Sequence, residues 1–179
     1  MNLVVVGFEG SDSKAPPPVG EAGVDADHLV ENADGRPFDP AFAEAAEEYA
    51  HAVLGKLGIT NWDLSLLFCD DAFIRTLNRD YRDKDEATDV LSFGQGDAYR
   101  NEDGEERILA GDIVISFQAL ERNVADFSVP RGEELRRLVL HGILHLSGMD
   151  HADNEPSQPM LVLQETMLAK IGPGRGAFA

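Results

Sequence analysis

The run His141-Gly142-Ile143-Leu144-His145-Leu146-Ser147-Gly148-Met149-Asp150-His151 places three imidazoles at spacings suited to a single metal ion. Residues four apart on a helix share a face, with Cβ atoms about 5–6 Å apart, so His141 and His145 can both reach a Zn2+ at roughly 2.0–2.1 Å. A third ligand must come from outside that rigid segment. Gly148 is the residue type that most cheaply takes the left-handed conformation ending a helix, and His151 then swings in from the loop. Three protein ligands leave a fourth position for solvent, which marks a catalytic zinc site. Closed structural sites use four ligands, usually with cysteine, and this chain has only Cys69. Leu135, Leu138, Val139, Leu140, Ile143, Leu144 and Leu146 make the helix apolar nearly all round. That predicts burial, which keeps the imidazoles neutral and able to bind metal.

The pattern is close to the H-E-x-x-H-x-x-G-x-x-H of zinc peptidases, but Gly142 stands where their glutamate acts as general base. A peptidase or amidohydrolase would have to borrow another carboxylate. A phosphodiester brings its own anionic oxygens and asks mainly for a Lewis acid and a cation, so Gly142 favours a phosphoryl substrate. Two other functions stay open here. One is a zinc peptidase or amidohydrolase; the other is a non-catalytic protein whose metal only staples the His151 loop to its helix.

The cation has candidates. Asp70 and Asp71 cap a helix that carries Phe73, Ile74, Leu77 and Tyr81 toward a core, while Arg75, Arg79 and Arg82 recur along one face. Arginine suits bidentate phosphate contact, which makes this stripe a candidate substrate-binding surface. The competing reading is a solvated face whose arginines pair with Asp80 and Asp83.

Four blocks in order, Leu77-Asn78-Arg79-Asp80-Tyr81-Arg82-Asp83-Lys84-Asp85, Thr88-Asp89-Val90-Leu91-Ser92-Phe93, Gly111-Asp112-Ile113-Val114-Ile115-Ser116 and the three-histidine run, resemble the bacterial YbeY-like family. The match covers about 77–172. The resemblance implies a single-domain, zinc-dependent, single-strand endoribonuclease acting in 16S rRNA 3′-end maturation and ribosome quality control. It implies one Zn2+ held by His141, His145 and His151, and a required arginine that falls on Arg82. The implied partners are rRNA and the ribosome or its small-subunit proteins, with a ribosome-assembly GTPase as a further candidate. The chain departs from the family pattern at Gly94, where proline is common, and at Met149, where an aromatic residue is frequent; neither is a ligand. No side chain stands out as a general base. Asp89 and Asp112 are read as structural, in turns or at strand ends, and Gln164 and Glu165 are either hydrogen-bonding partners of the histidines or surface residues of the last helix.

At 179 residues, with 43% hydrophobic and 27% charged residues, the chain fits one soluble domain with a substantial core, 1–179. No run approaches a membrane span, the N-terminus lacks the features of a signal peptide, and a lone cysteine excludes an intrachain disulfide framework. The expectation is therefore a cytoplasmic protein. A net charge of −18 opposes RNA binding, because phosphate neutralisation dominates nucleic-acid affinity. Arg75 to Lys84, however, holds four basic residues against two acidic, which suggests a local basic cleft on an acidic body and recruitment by a partner.

The elements that must position these residues can be read from periodicity and punctuation. Strands are expected at Leu3–Phe8, Trp62–Cys69, Thr88–Phe93 and Ile108–Ser116. Helices are expected from Asp39-Pro40 to Gly58, from Asp70 to Arg82, from Ser116 or Phe117 to Asp126, from Pro130 through the histidines, and over Met160–Ile171. A Gly-rich acidic loop should follow Phe93, a flexible acidic, proline-rich insertion should span about 10–40, and 174–179 should fray. Irregular alternation implies an α+β fold, with one mixed sheet of about four strands and about five helices packed against it.

Overall fold

A computed structural model describes residues 2–9 and 40–172. The expected insertion at 10–40 lies outside the described residues except for its last position, and so do the Asp39 cap and the 174–179 tail. The element order is β1 (Leu3–Glu9), α1 (Pro40–Leu57), β2 (Trp62–Cys69), α2 (Asp71–Arg82), β3 (Val90–Arg100), β4 (Glu106–Ser116), α3 (Phe117–Phe127), α4 (Arg131–Leu146) and α5 (Pro159–Ile171). The fold is α+β. The strands form one mixed sheet in the order β1-β2-β4-β3, with β1 and β4 parallel to β2, and β3 antiparallel to β4.

The sheet has two apolar faces of unequal size. Leu64, Leu66, Phe68, Ile113 and Ile115 point to the face covered by α1, α3, α4 and α5, where Leu135, Leu138, Val139, Leu140, Ile143 and Leu144 of α4 are buried. Each such aliphatic side chain removed from water stabilises the fold by about 1.5–3 kcal/mol, and this anchors the histidine helix. Cys69, Leu91 and Val114 face the other way, under Phe73, Ile74 and Leu77 of α2. The alternation in β2 therefore marks two buried faces rather than one.

Both ends of α2 are fastened. Asp70 accepts from the Phe73 N–H at 2.7 Å as N-cap, and Asp83 closes the helix in the left-handed region at φ 58°. Asp71 accepts from the Ser116 hydroxyl at 2.5 Å and from Arg122 Nη1 at 2.6 Å, tying the start of α2 to α3. Tyr81 departs from expectation. It is 66% exposed rather than part of a core, because the apolar stripe of α2 outruns the sheet beneath it.

β3 also departs from expectation. It continues through Gly94–Arg100, where a loop was expected, and pairs with β4 as far as Arg100↔Glu106. Residues 94–100 are all solvent-exposed, so no apolar alternation announces them, and backbone pairing alone makes them a strand. The ladder shifts register between Gly94 and Asp97, opposite Gly111 at φ +134°. A Cβ on Gly111 would lie 2.0 Å from the Phe93 carbonyl oxygen, so only glycine passes there.

Two predictions follow from these fastenings. Gly111→Ala should cost about 3 kcal/mol or more, combining φ strain with a backbone clash, and lower Tm by on the order of 10 °C in a thermal melt. Burial tends to raise the Asp71 pKa, but the Arg122 and Ser116 hydrogen bonds outweigh it and hold the carboxyl below its usual value. The stabilisation is present above the unfolded carboxylate pKa and is lost as pH falls through the depressed folded value. Asp71→Asn should therefore lower Tm by a few degrees at pH 7, solvent screening keeping the effect small, and the gap from wild type should close as pH falls through that depressed value.

Candidate metal centre

Helix α4 ends in the turn the spacing requires. Gly148 sits at φ +86°, its N–H donates to His145 O at 2.9 Å, and the Met149 N–H donates to Leu144 O at 3.1 Å. These two bonds make a Schellman ending, which reverses the chain and brings His151 back over His141 and His145. One candidate ligand atom from each histidine lies within 4.8 Å of the others. The Nε2–Nε2 separations are 3.0 Å from His145 to His141 and 3.4 Å from His151 to His141. Two nitrogens on a tetrahedral zinc are roughly 3.3–3.4 Å apart, so these two separations lie within a few tenths of an ångström of what the ion needs.

The other ring nitrogens settle what faces that point. His141 Nδ1 donates to Gln164 Oε1 at 2.8 Å, His145 Nδ1 to Met149 O at 3.1 Å and His151 Nδ1 to Asp153 O at 2.9 Å. Two of these acceptors are carbonyls of the turn and loop. The third is oriented because Gln164 Nε2 donates to Glu165 Oε1 at 3.1 Å. Each Nδ1 therefore carries the proton and each neutral ring presents a bare Nε2 lone pair. Burial lowers the pKa of both His141 and His145, favouring that neutral form. Three lone pairs aimed at one point repel unless a cation lies between them. Among the described residues no fourth histidine, cysteine or carboxylate joins the group, which leaves a coordination position open.

The histidines line a cavity of about 1020 Å³. One wall is β3 from Val90 to Gly94, and another is Gln164 and Leu161 of α5, so the metal centre lies where the histidine helix borders the sheet. Gly142 faces away from the cavity. A Cβ there would lie 2.5 Å from Ile113 Cγ2 in β4, so no glutamate fits at the position where zinc peptidases carry their base. The helix approaches the sheet this closely because residue 142 has no side chain.

The arginines of α2 separate. Arg82 lines the cavity, is exposed, and has no ion pair or hydrogen bond among the described residues. Arg75 is paired with Asp85 at 2.8 Å and Arg79 with Asp80 at 2.8 Å, both in solvent and neither lining the cavity. The sequence pattern anticipated pairing with Asp80, but the second partner is Asp85 rather than Asp83. The lining also includes Asp89, Glu134, Asp150 and Arg137, so the cleft is mixed in charge rather than basic. Asp89 is occupied locally, accepting from the Val90 N–H at 2.9 Å and from Asn123 at 3.1 Å. Asp112, in mid-strand, accepts from the Ser65 hydroxyl.

Of the two roles the sequence left open for Gln164 and Glu165, they take the one behind the candidate ligands. Gln164 is buried at 5% exposure, and Glu165 receives Arg137 Nε at 3.0 Å, so an Arg137–Glu165–Gln164–His141 chain fixes the first ligand. The available signal was a polar residue on the otherwise apolar face of the last helix. Gln164→Leu removes the acceptor for His141 Nδ1 and should weaken metal affinity by about 10- to 100-fold in a competitive chelator titration.

Residues 29–172 match the family model described as Endoribonuclease YbeY. The chain is 59% identical over 122 residues to the endoribonuclease YbeY of Treponema denticola, covering 68% of this chain and 79% of that one. It is 49% identical over 131 residues to that of Treponema pallidum strain Nichols, covering 73% and 82% respectively. A solution structure of a Thermotoga maritima protein shares the fold, with a TM-score of 0.53 and 22% identity over 94% of this chain and 89% of that one. By the extent of the family match and the identity to these relatives, the chain belongs to the endoribonuclease YbeY family.

Proposed function

We propose that this chain is a zinc-dependent, single-strand endoribonuclease of the cytoplasm, acting on rRNA in 16S 3′-end maturation and ribosome quality control. The observation that carries the reading is the open three-nitrogen site sharing one cavity with Arg82, which has no partner among the described residues. His141, His145 and His151 would hold the ion, which would supply Lewis acidity toward a phosphoryl oxygen, the attacking water or both. Arg82 pairs with non-bridging phosphate oxygens and stabilises the charge that builds there during attack. Gln164 keeps the proton on His141 Nδ1 so that Nε2 stays a donor. Arg75 and Arg79, exposed and already paired, serve only the outer path of the strand. The mixed charge of the cleft supports presentation of the RNA by the ribosome, its small-subunit proteins or an assembly GTPase rather than capture of free RNA.

A zinc peptidase finds less support, since Ile113 occupies the space its glutamate would need. Elemental analysis should find one zinc per chain, and cleavage of single-stranded RNA should stop with chelator and return with added metal. Arg82→Ala should lower kcat by on the order of 100-fold with Tm unchanged, against a few-fold rise in KM for Arg75→Ala or Arg79→Ala. Peptide hydrolysis that survives Arg82→Ala, in a protein inert toward RNA, would overturn the reading.

A further inference from the structure

Two large aromatic side chains stand exposed at the metal cavity. Tyr81 is 66% exposed and Phe127 65%, and both line the same cavity as the histidines and Arg82. Among the described residues only Tyr99 and Val162 join them as exposed large hydrophobics, so half of that set is gathered at one site. Each is the overshoot of an apolar stripe. On α2, Phe73, Ile74 and Leu77 are buried and the next position of that face is Tyr81. On α3, Leu120 is buried, Val124 packs against the core, and the stripe ends at Phe127, after which Ser128 turns the chain in the left-handed region. Neither ring is used to hold the protein together.

Tyr81 is nevertheless oriented. Its ring meets Phe93 edge-on, with centroids 5.1 Å apart and an interplanar angle of 66°, which restrains it while leaving a face free. It also directly precedes Arg82, so a ring and a phosphate-binding cation are presented side by side.

We propose that Tyr81 and Phe127 are base-stacking residues that hold single-stranded RNA across the metal centre. This rests on the endoribonuclease reading and names how that site gains affinity and selects its substrate form. The electrostatics require such a source. The chain carries −18 charges and the cavity contains Asp89, Glu134 and Asp150, so phosphate attraction beyond Arg82 and the ion is weak. Stacking needs no net positive charge and is tolerant of sequence because every base has a π-face. It also discriminates against duplexes, whose bases already stack on one another and cannot reach the rings.

The test uses the zinc-loaded full chain and a labelled single-stranded RNA, compared with the same RNA carrying one abasic nucleotide walked along its length. Tyr81→Ala and Phe127→Ala should each raise KM about fivefold or more, with the effect on KM rather than on kcat, and with Tm unchanged because both rings are exposed. Tyr81→Trp and Phe127→Trp should restore KM. At one abasic position per ring, the alanine variant should add no further loss, since the contact is already gone. Unchanged KM in both alanine variants, or equal losses on intact and all abasic RNAs, overturns the proposal while leaving cleavage by the wild type, and hence the endoribonuclease reading, intact. If the wild type cleaves nothing, binding of 2-aminopurine-labelled RNA still decides. Fluorescence quenching by wild type that is lost in Tyr81→Ala and Phe127→Ala supports stacking; quenching by none, or equally by all three, rejects it and leaves the rings as a surface for a protein partner.

Discussion

Nitrogen lone pairs directed at a common point repel one another, and this structure holds three in that arrangement. The arrangement persists because each imidazole is secured from behind through Nδ1, to Gln164, to the Met149 carbonyl and to the Asp153 carbonyl. Folding supplies the work of bringing the donors together, so a cation entering the site meets ligands already in their bound tautomer and orientation. Pre-arranged donors lose little on binding, which is the physical basis of a tight and selective metal centre.

That constraint reaches far into the fold. The two helical ligands depend on α4 being immobile, and α4 is immobile because its aliphatic side chains fill the core against Ile113 and Ile115. Its close approach to β4 depends on the bare α-carbon of Gly142. The third ligand depends on the left-handed Gly148, and the same turn supplies the carbonyl that fixes His145. One short segment thus ends the helix, returns the chain and orients a ligand. The wall opposite is β3, whose register past Gly94 requires Gly111 to let two backbones pass.

Charge is managed in a similarly local way. A strongly acidic chain does not assemble a basic cleft; its arginines are mostly spent on carboxylates, as at Arg75, Arg79, Arg122 and Arg137. Among the three arginines of the α2 face, Arg82 remains available at the cavity. A bound dication would then be the largest positive charge in the site, and it would set the local potential more than any surface patch.

The three candidate ligands and their turn glycine were readable in the chain because their geometry is local. Spacings of four and six residues and one left-handed position are determined by helix and turn stereochemistry, whatever the rest of the protein does. The helices, and the strands apart from the second half of β3, were readable for the same reason, through apolar period and end signals. The choice between the two roles of Gln164 was not, because it rests on α5 lying beside α4, 23 residues away, and no local rule carries that distance. Nor was the exposed half of β3, which is a strand only through its pairing with β4, or the separation of Arg82 from Arg75 and Arg79, or the exposure of Tyr81. Those depend on where a helix ends relative to the sheet beneath it. Local stereochemistry gathered the three histidines; long-range packing decided which neighbours orient them and which side chains share their cavity.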